Sequence, residues 1–162
     1  MKNWMRNMVV IVDYKNIADE AIPEYKILDF GKLREKCLEI APTIACFLFV
    51  PDHWVNTSSV AEAQKYGFFI ICCYGVKEFS ESIEDSVDIH IIKFVEKLLV
   101  SNKKITDICL VGSDKHMNEW IQSAQWAGKK IHIFAGKKLS HILKEAVNSE
   151  DIHPVPLKDG EV

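Results

Sequence analysis

Met8-Val9-Val10-Ile11-Val12-Asp13-Tyr14-Lys15-Asn16 decides how this chain is read. Five apolar residues in a row, with no polar alternation, specify a strand covered on both faces, the kind found in parallel sheets. The run stops at an acid, and an Asn follows three residues later. Four further runs of this type lie downstream: Thr43–Val50, Phe68–Tyr74, Thr106–Val111 and Lys130–Phe134. Helical spacing separates them. Leu33, Cys37 and Ile40 share a face of a helix from Asp29 to Ile40, and Ser58–Tyr66 is a helix stopped by Gly67. The longest helix is expected from Ile83 to about Val100, with Val87, Ile91, Val95 and Leu98 as its buried stripe. His116–Ala127 and Leu139–Val147 are the last two helices, and Ile152–Pro156 is a short final strand. Tyr14–Leu28, interrupted by Pro23, carries no clear period. Strands alternating with helices predict an α/β domain on a mainly parallel sheet of five to six strands. No repeat or linker divides the chain, so residues 1–156 are expected to form one domain, with 157–162 as a frayed polar tail.

Composition bounds the function. The chain has 162 residues and a formal net charge of −3, which excludes a strongly basic wrapper of nucleic acid but not an enzyme with a local basic patch. Of the 20 cationic residues only Arg6 and Arg34 are arginine, so phosphate contacts would come from lysine. The longest apolar runs, Ile44–Val50 and Phe68–Tyr74, are seven residues each, far short of the 18 or so that span a membrane. No apolar stretch with a cleavage site follows Met1, so no secretory signal and no membrane partner are expected. Five cysteines, an odd number without a C-x-x-C pair, read as reduced core residues of a cytoplasmic protein rather than as a zinc site.

In open parallel sheets, ligands bind beyond the carboxyl ends of the strands, near the point where strand order reverses. Asp13 ends the first strand, and Gly112-Ser113-Asp114 follows Thr106–Val111. Glu84-Asp85-Ser86-Val87-Asp88 opens the long helix. If those two strands are neighbours, Asp13, Asp88 and Asp114 can converge, and a hard divalent cation, Mg²⁺ or Mn²⁺, would relieve their repulsion. Such an ion also takes phosphate oxygens and activates water. Each acid has a plainer use: Asp13 and Asp114 as helix caps, and Asp88 as one more first-turn acid. His116 lies close enough to Asp114 to reach the same site, whereas His90 and His132 sit among apolar neighbours. Lys15, Lys77, Lys115, Lys137 and Lys138 fall near the carboxyl edge and could meet phosphates. Trp4 and Trp54 could stack bases or bury a homodimer contact. A dinucleotide fingerprint is missing after Asp13, Ala135-Gly136-Lys137-Lys138 lacks the upstream glycine of a phosphate loop, and Gly112-Ser113 lacks the frame of a nucleophile elbow.

Several stretches together resemble the NYN domains of the PIN-like nucleases. Val9–Ile17 looks like their opening motif, a hydrophobic strand, Asp, then Asn. Gly67-Phe68-Phe69-Ile70 leading to Ser86-Val87-Asp88-Ile89 is similar to their middle segment, and Cys109–Met117 to their "L-V-S-G-D-x-D-F" motif. Trp126–Ile131 and Gly136–Val147 are similar to the two closing segments, so the likeness runs over about residues 8–155 in order. The resemblance implies a three-layer α/β/α Rossmann-like sandwich and a ribonuclease that hydrolyses RNA phosphodiesters with Mg²⁺ or Mn²⁺. It implies Asp13, Asp88 and Asp114 as catalytic metal ligands and Asn16 as the support of Asp13. Ser113 or His116 would place the water or the leaving group. The pattern departs at His116, where the motif's second Asp stands, at Phe94, where an acid is usual, and in the reversed order of Gly112-Ser113. His116 would then be a substitute ligand, a proton shuttle, or the mark of a weakened module that binds RNA or a protein without cleaving.

Overall fold

A computed structural model describes residues 5–78, 82–83 and 86–160. Strand β1 (Met8–Asp13) is buried over its whole length and lies inside a six-stranded sheet. Its side chains alternate between two cores. Val9 and Ile11 join one, and Met8, Val10 and Val12 join the other. That is why the run shows no polar face. Helix α1 (Tyr14–Ala21) follows at once, then a short strand β2 (Lys26–Leu28), α2 (Phe30–Ile40), β3 (Thr43–Pro51), α3 (Ser58–Lys65) and β4 (Phe69–Cys73). The second half runs α4 (Val87–Phe94), β5 (Asp107–Val111), α5 (Asn118–Trp126), β6 (Lys130–Ala135), α6 (His141–Ala146), β7 (Ile152–Pro154) and β8 (Leu157–Asp159).

The sheet order is β4-β3-β1-β5-β6-β7, and every neighbouring pair is parallel. Residues of α1, α2 and α3 fill the core on one face and residues of α4, α5 and α6 the core on the other. The result is a three-layer Rossmann-like sandwich. The chain builds outward from β1 through β3 to β4, then returns to β1's other side with β5. Strand order therefore reverses at β1, between β3 and β5, which puts the ligand-binding crevice beyond Asp13 and Val111. Gly67 and Gly128, both at positive φ (82° and 84°), end α3 and α5 in the left-handed turn that glycine adopts without strain.

Three expectations are corrected. Tyr14–Ala21 is helical, because the Asp13 side chain caps it and Pro23 falls in the 3-10 turn after it. The tail is ordered through Asp159: β8 pairs antiparallel with β2, and Lys26 bonds Asp159. No local pattern announces a pairing across 133 positions. The long helix is α4 followed by a π-helical turn, Val95–Leu99, and this insertion changes the phase of the stripe. Leu99 is thus buried beside Val87, Ile91 and Val95, while Leu98 is 57% exposed. The expected start of that helix at Glu84 and Asp85 lies outside the described residues, as does Trp4.

Candidate metal centre at the sheet's carboxyl edge

Three elements aim carboxylates at the crevice. Asp13 leaves β1 as the N-cap of α1, its Oδ1 accepting the Asn16 backbone N–H at 3.3 Å. Asp88 stands in the first turn of α4, and Asp114 caps the 3-10 turn Lys115–Met117, accepting the His116 N–H at 2.8 Å. Asp13 and Asp114 are fixed as caps and Asp88 by its place in the first turn of α4, and the sheet order brings these helix starts to one cleft. Asp13 and Asp88 are buried, and Asp114 is half-buried. Lys15, Asn16, Asp19, Lys77, Glu78 and Ser86 are among the residues that line the cleft they share.

The electrostatics are unfavourable. Burial, then the charges of Asp88 and Asp114, raise the Asp13 carboxyl well above its ordinary range. Burial and Asp114 likewise raise that of Asp88, opposed in part by its hydrogen bond with Asp13 and by His116. The His116 Nδ1 lies 2.7 Å from Asp114 Oδ1 and 3.4 Å from Asp88 Oδ2. One donor atom each from Asp88, Asp114 and His116 fall within 4.8 Å of one another, a separation a single cation could bridge. Among the described residues no second such group of His, Cys, Asp or Glu occurs. Hard carboxylate oxygens suit Mg²⁺ or Mn²⁺, and an imidazole nitrogen shifts that preference toward Mn²⁺.

Asn16 and Ser113 act behind the acids. The Asn16 Oδ1 accepts both the Ser113 N–H and the Ser113 hydroxyl, each at 2.9 Å, which ties the start of α1 to the end of β5. Ser113 is buried, and its hydroxyl oxygen also lies 3.4 Å from Glu20 Oε1. Sequence reasoning missed Glu20. Its signal is helical spacing, since Asp13, Asn16 and Glu20 follow one face of α1.

The remaining candidates fall elsewhere. Lys15 lines the cleft but bonds Asp19 at 2.6 Å. Lys137 and Lys138 line a different hollow with Glu20 and Gly136. Lys115 is exposed beside Asp114. Phe94, at a usually acidic position, packs on Phe47 and Phe49. Trp54 stands in the 3-10 turn after β3, edge-on to Tyr14 with ring centroids 5.9 Å apart, and lines an apolar pocket with Ile22, Ile27 and Leu28. His132 is buried at the other end of the sheet, 2.7 Å from Asp107, which also holds Arg6. All five cysteines are free thiols. Burial pushes Cys46 up to about 11 and Cys73 up to about 12, which leaves them protonated and inert as ligands.

No helix among the described residues is long and apolar enough to cross a membrane. No family model matches the chain, and no curated protein matches it. Among solved structures, it is similar to VPA0982 from Vibrio parahaemolyticus, a protein of unknown function, with a TM-score of 0.74 at 12% identity over 93% of each chain. At that identity the likeness carries the α/β sandwich and nothing of its chemistry.

Proposed function

We propose that this protein is a metal-dependent ribonuclease that hydrolyses RNA phosphodiester bonds at Asp13, Asp88 and Asp114. The observation that carries the reading is the packing of three carboxylates at the strand-order reversal of a parallel sheet, two of them with raised carboxyl pKa values. Such a cluster is costly without a cation and fits one with oxygen ligands. The likeness to NYN domains supports RNA as the substrate. Asp88, Asp114 and His116, whose ligand atoms lie within 4.8 Å of one another, would hold one Mg²⁺ or Mn²⁺, with Asp13, hydrogen-bonded to Asp88, as a further ligand. When bound, the ion neutralises the scissile phosphate and lowers the pKa of an attacking water. The Asn16 backbone N–H holds Asp13, the Asn16 side chain is tied to Ser113, and lysines at the cleft rim meet flanking phosphates. A cytoplasmic location accords with five free thiols.

The test is RNA cleavage with Mn²⁺ by the wild type, Asp13→Asn and Asp114→Asn. Loss of cleavage in both variants supports the reading. Activity that survives both refutes it.

One observation favours a second reading. The His116 imidazole already contacts Asp114 and Asp88, and if protonated it would itself offset one charge of the cluster. The chain would then be a non-catalytic module that binds RNA or a protein partner. Calorimetric titration of Mn²⁺ separates the two, since this module would take up no ion at millimolar metal.

A further inference from the structure

The two edges of the large sheet are built differently. One edge, β7, is three residues long and ends in Pro154, which has no N–H to offer a neighbour. The other edge, β4, reads Phe69-Ile70-Ile71-Cys72-Cys73. It carries no charge and no proline, and its register with β3 runs without a bulge. Proteins ordinarily blunt an edge with one of those devices, because an open row of backbone N–H and C=O groups templates another strand. The side chains repeat the message. Phe69 is 61% exposed and is the outer end of an aromatic row: Phe69 to Phe47 at 5.7 Å, Phe47 to Phe94 at 4.9 Å, and Phe94 to Phe49 at 5.3 Å. Tyr74, the next residue after the strand, is 74% exposed.

We propose that β4 pairs antiparallel with β4 of a second copy of this chain, about a two-fold axis through Ile71, to join the two sheets into one. The strand is its own complement. In the register that pairs all five residues, Ile71 faces Ile71, Ile70 faces Cys72 of the second copy, and Phe69 faces its Cys73. Every cross-strand pair is apolar, and each stays on its own face of the sheet. The isologous geometry closes at two copies, which caps both open edges and leaves no template for further growth. Because the two copies run in opposite directions, their acidic clefts open at opposite margins of the joined sheet, and pairing obstructs neither. The proposal is independent of the nuclease reading.

The wild type should sediment as a dimer over a concentration series. Phe69→Lys, at an exposed position, should retain the wild-type circular dichroism and melting profile. It should weaken the dimer about tenfold or more, since the change counts twice across the axis. Register is tested by Ile70→Cys. Opposed Cα atoms in an antiparallel pair lie about 4.5–5.5 Å apart, within the span of a disulfide. Mild oxidation of Ile70→Cys should therefore give a covalent dimer through Cys72 of the other copy, and adding Cys72→Ala should abolish it. A wild type that is monomeric at every concentration overturns the proposal. So does a folded Phe69→Lys that dimerises as well as the wild type, or a crosslink that persists without Cys72.

Discussion

Asp88→Asn tests the electrostatic reasoning at its sharpest point. The substitution keeps the shape of the side chain and removes one charge from the cluster. Oxygen atoms of Asp88 and Asp114 lie within 4.8 Å of each other. At that distance and an effective dielectric near 20, two unit charges repel by about 3.5 kcal/mol. Three terms reduce the gain. Asp114 is partly exposed and screened. The Asp88 charge is worth about 0.3–1 kcal/mol at the start of α4. His116, 3.4 Å away, offsets part of the repulsion. A net stabilisation of about 2 kcal/mol remains for the metal-free protein, which for a chain of this size is a melting-point rise of roughly 4–8 °C. The assay is urea unfolding at pH 8, with chelator and then with Mn²⁺. Saturating metal at one hundred times its dissociation constant should stabilise the wild type by about 2.7 kcal/mol and the variant by much less. The variant is therefore more stable without metal and less responsive with it. If Asp88→Asn lowers metal-free stability by about 1 kcal/mol or more, or if Mn²⁺ stabilises both forms equally, the reasoning fails.

Other outcomes follow from the same geometry. The Asp13 carboxyl is raised by burial and by its acidic neighbours, so it contributes stability at low pH that is lost as pH rises through its folded value. With chelator present, Asp13→Asn should match the wild type at low pH and gain on it as pH rises, as read from urea midpoints. Asp107 has the opposite sign. Burial would raise it, but hydrogen bonds from His132, Arg6 and Thr106 outweigh that and hold it below the ordinary range. Its stabilisation is present at neutral pH and lost as pH falls below about 4 toward its folded value. Asp107→Asn removes the carboxylate that Arg6 and His132 share, leaving only the more distant Asp151, and should cost about 3–5 kcal/mol in urea unfolding at pH 7. Ser113→Ala removes the hydroxyl that Asn16 accepts and should weaken Mn²⁺ binding about 10–100-fold by calorimetry while the fold persists. Trp54→Ala should lower the affinity for a single-stranded oligonucleotide by about 1–3 kcal/mol in fluorescence anisotropy, if bases stack at the Tyr14 pocket.

The division between sequence and tertiary structure follows interaction range. Strand β1 was legible because a strand covered on both faces must be apolar at every position, and Val9 to Val12 obey that locally. The helix stop at Gly67 was legible for the same reason, since it is set by a single backbone angle. The acids at Asp13, Asp88 and Asp114 could be marked as candidates, because each ends a strand or opens a helix. Their meeting could not be read locally. It depends on β5 returning to the flank of β1, which is a property of sheet order. The Ser113 hydroxyl looked free to serve the site, and only packing turned it toward Asn16 and Glu20. Leu99 replaced Leu98 in the core because one π-helical turn changed the phase of a regular period. The tail became β8 because Lys26–Leu28, far upstream, supplied the partner strand. The sequence by itself determined which segments must be covered on both faces and which acids stand at their ends. The tertiary structure alone decided which of those ends are neighbours, because convergence of charge is a long-range contact that no local period encodes.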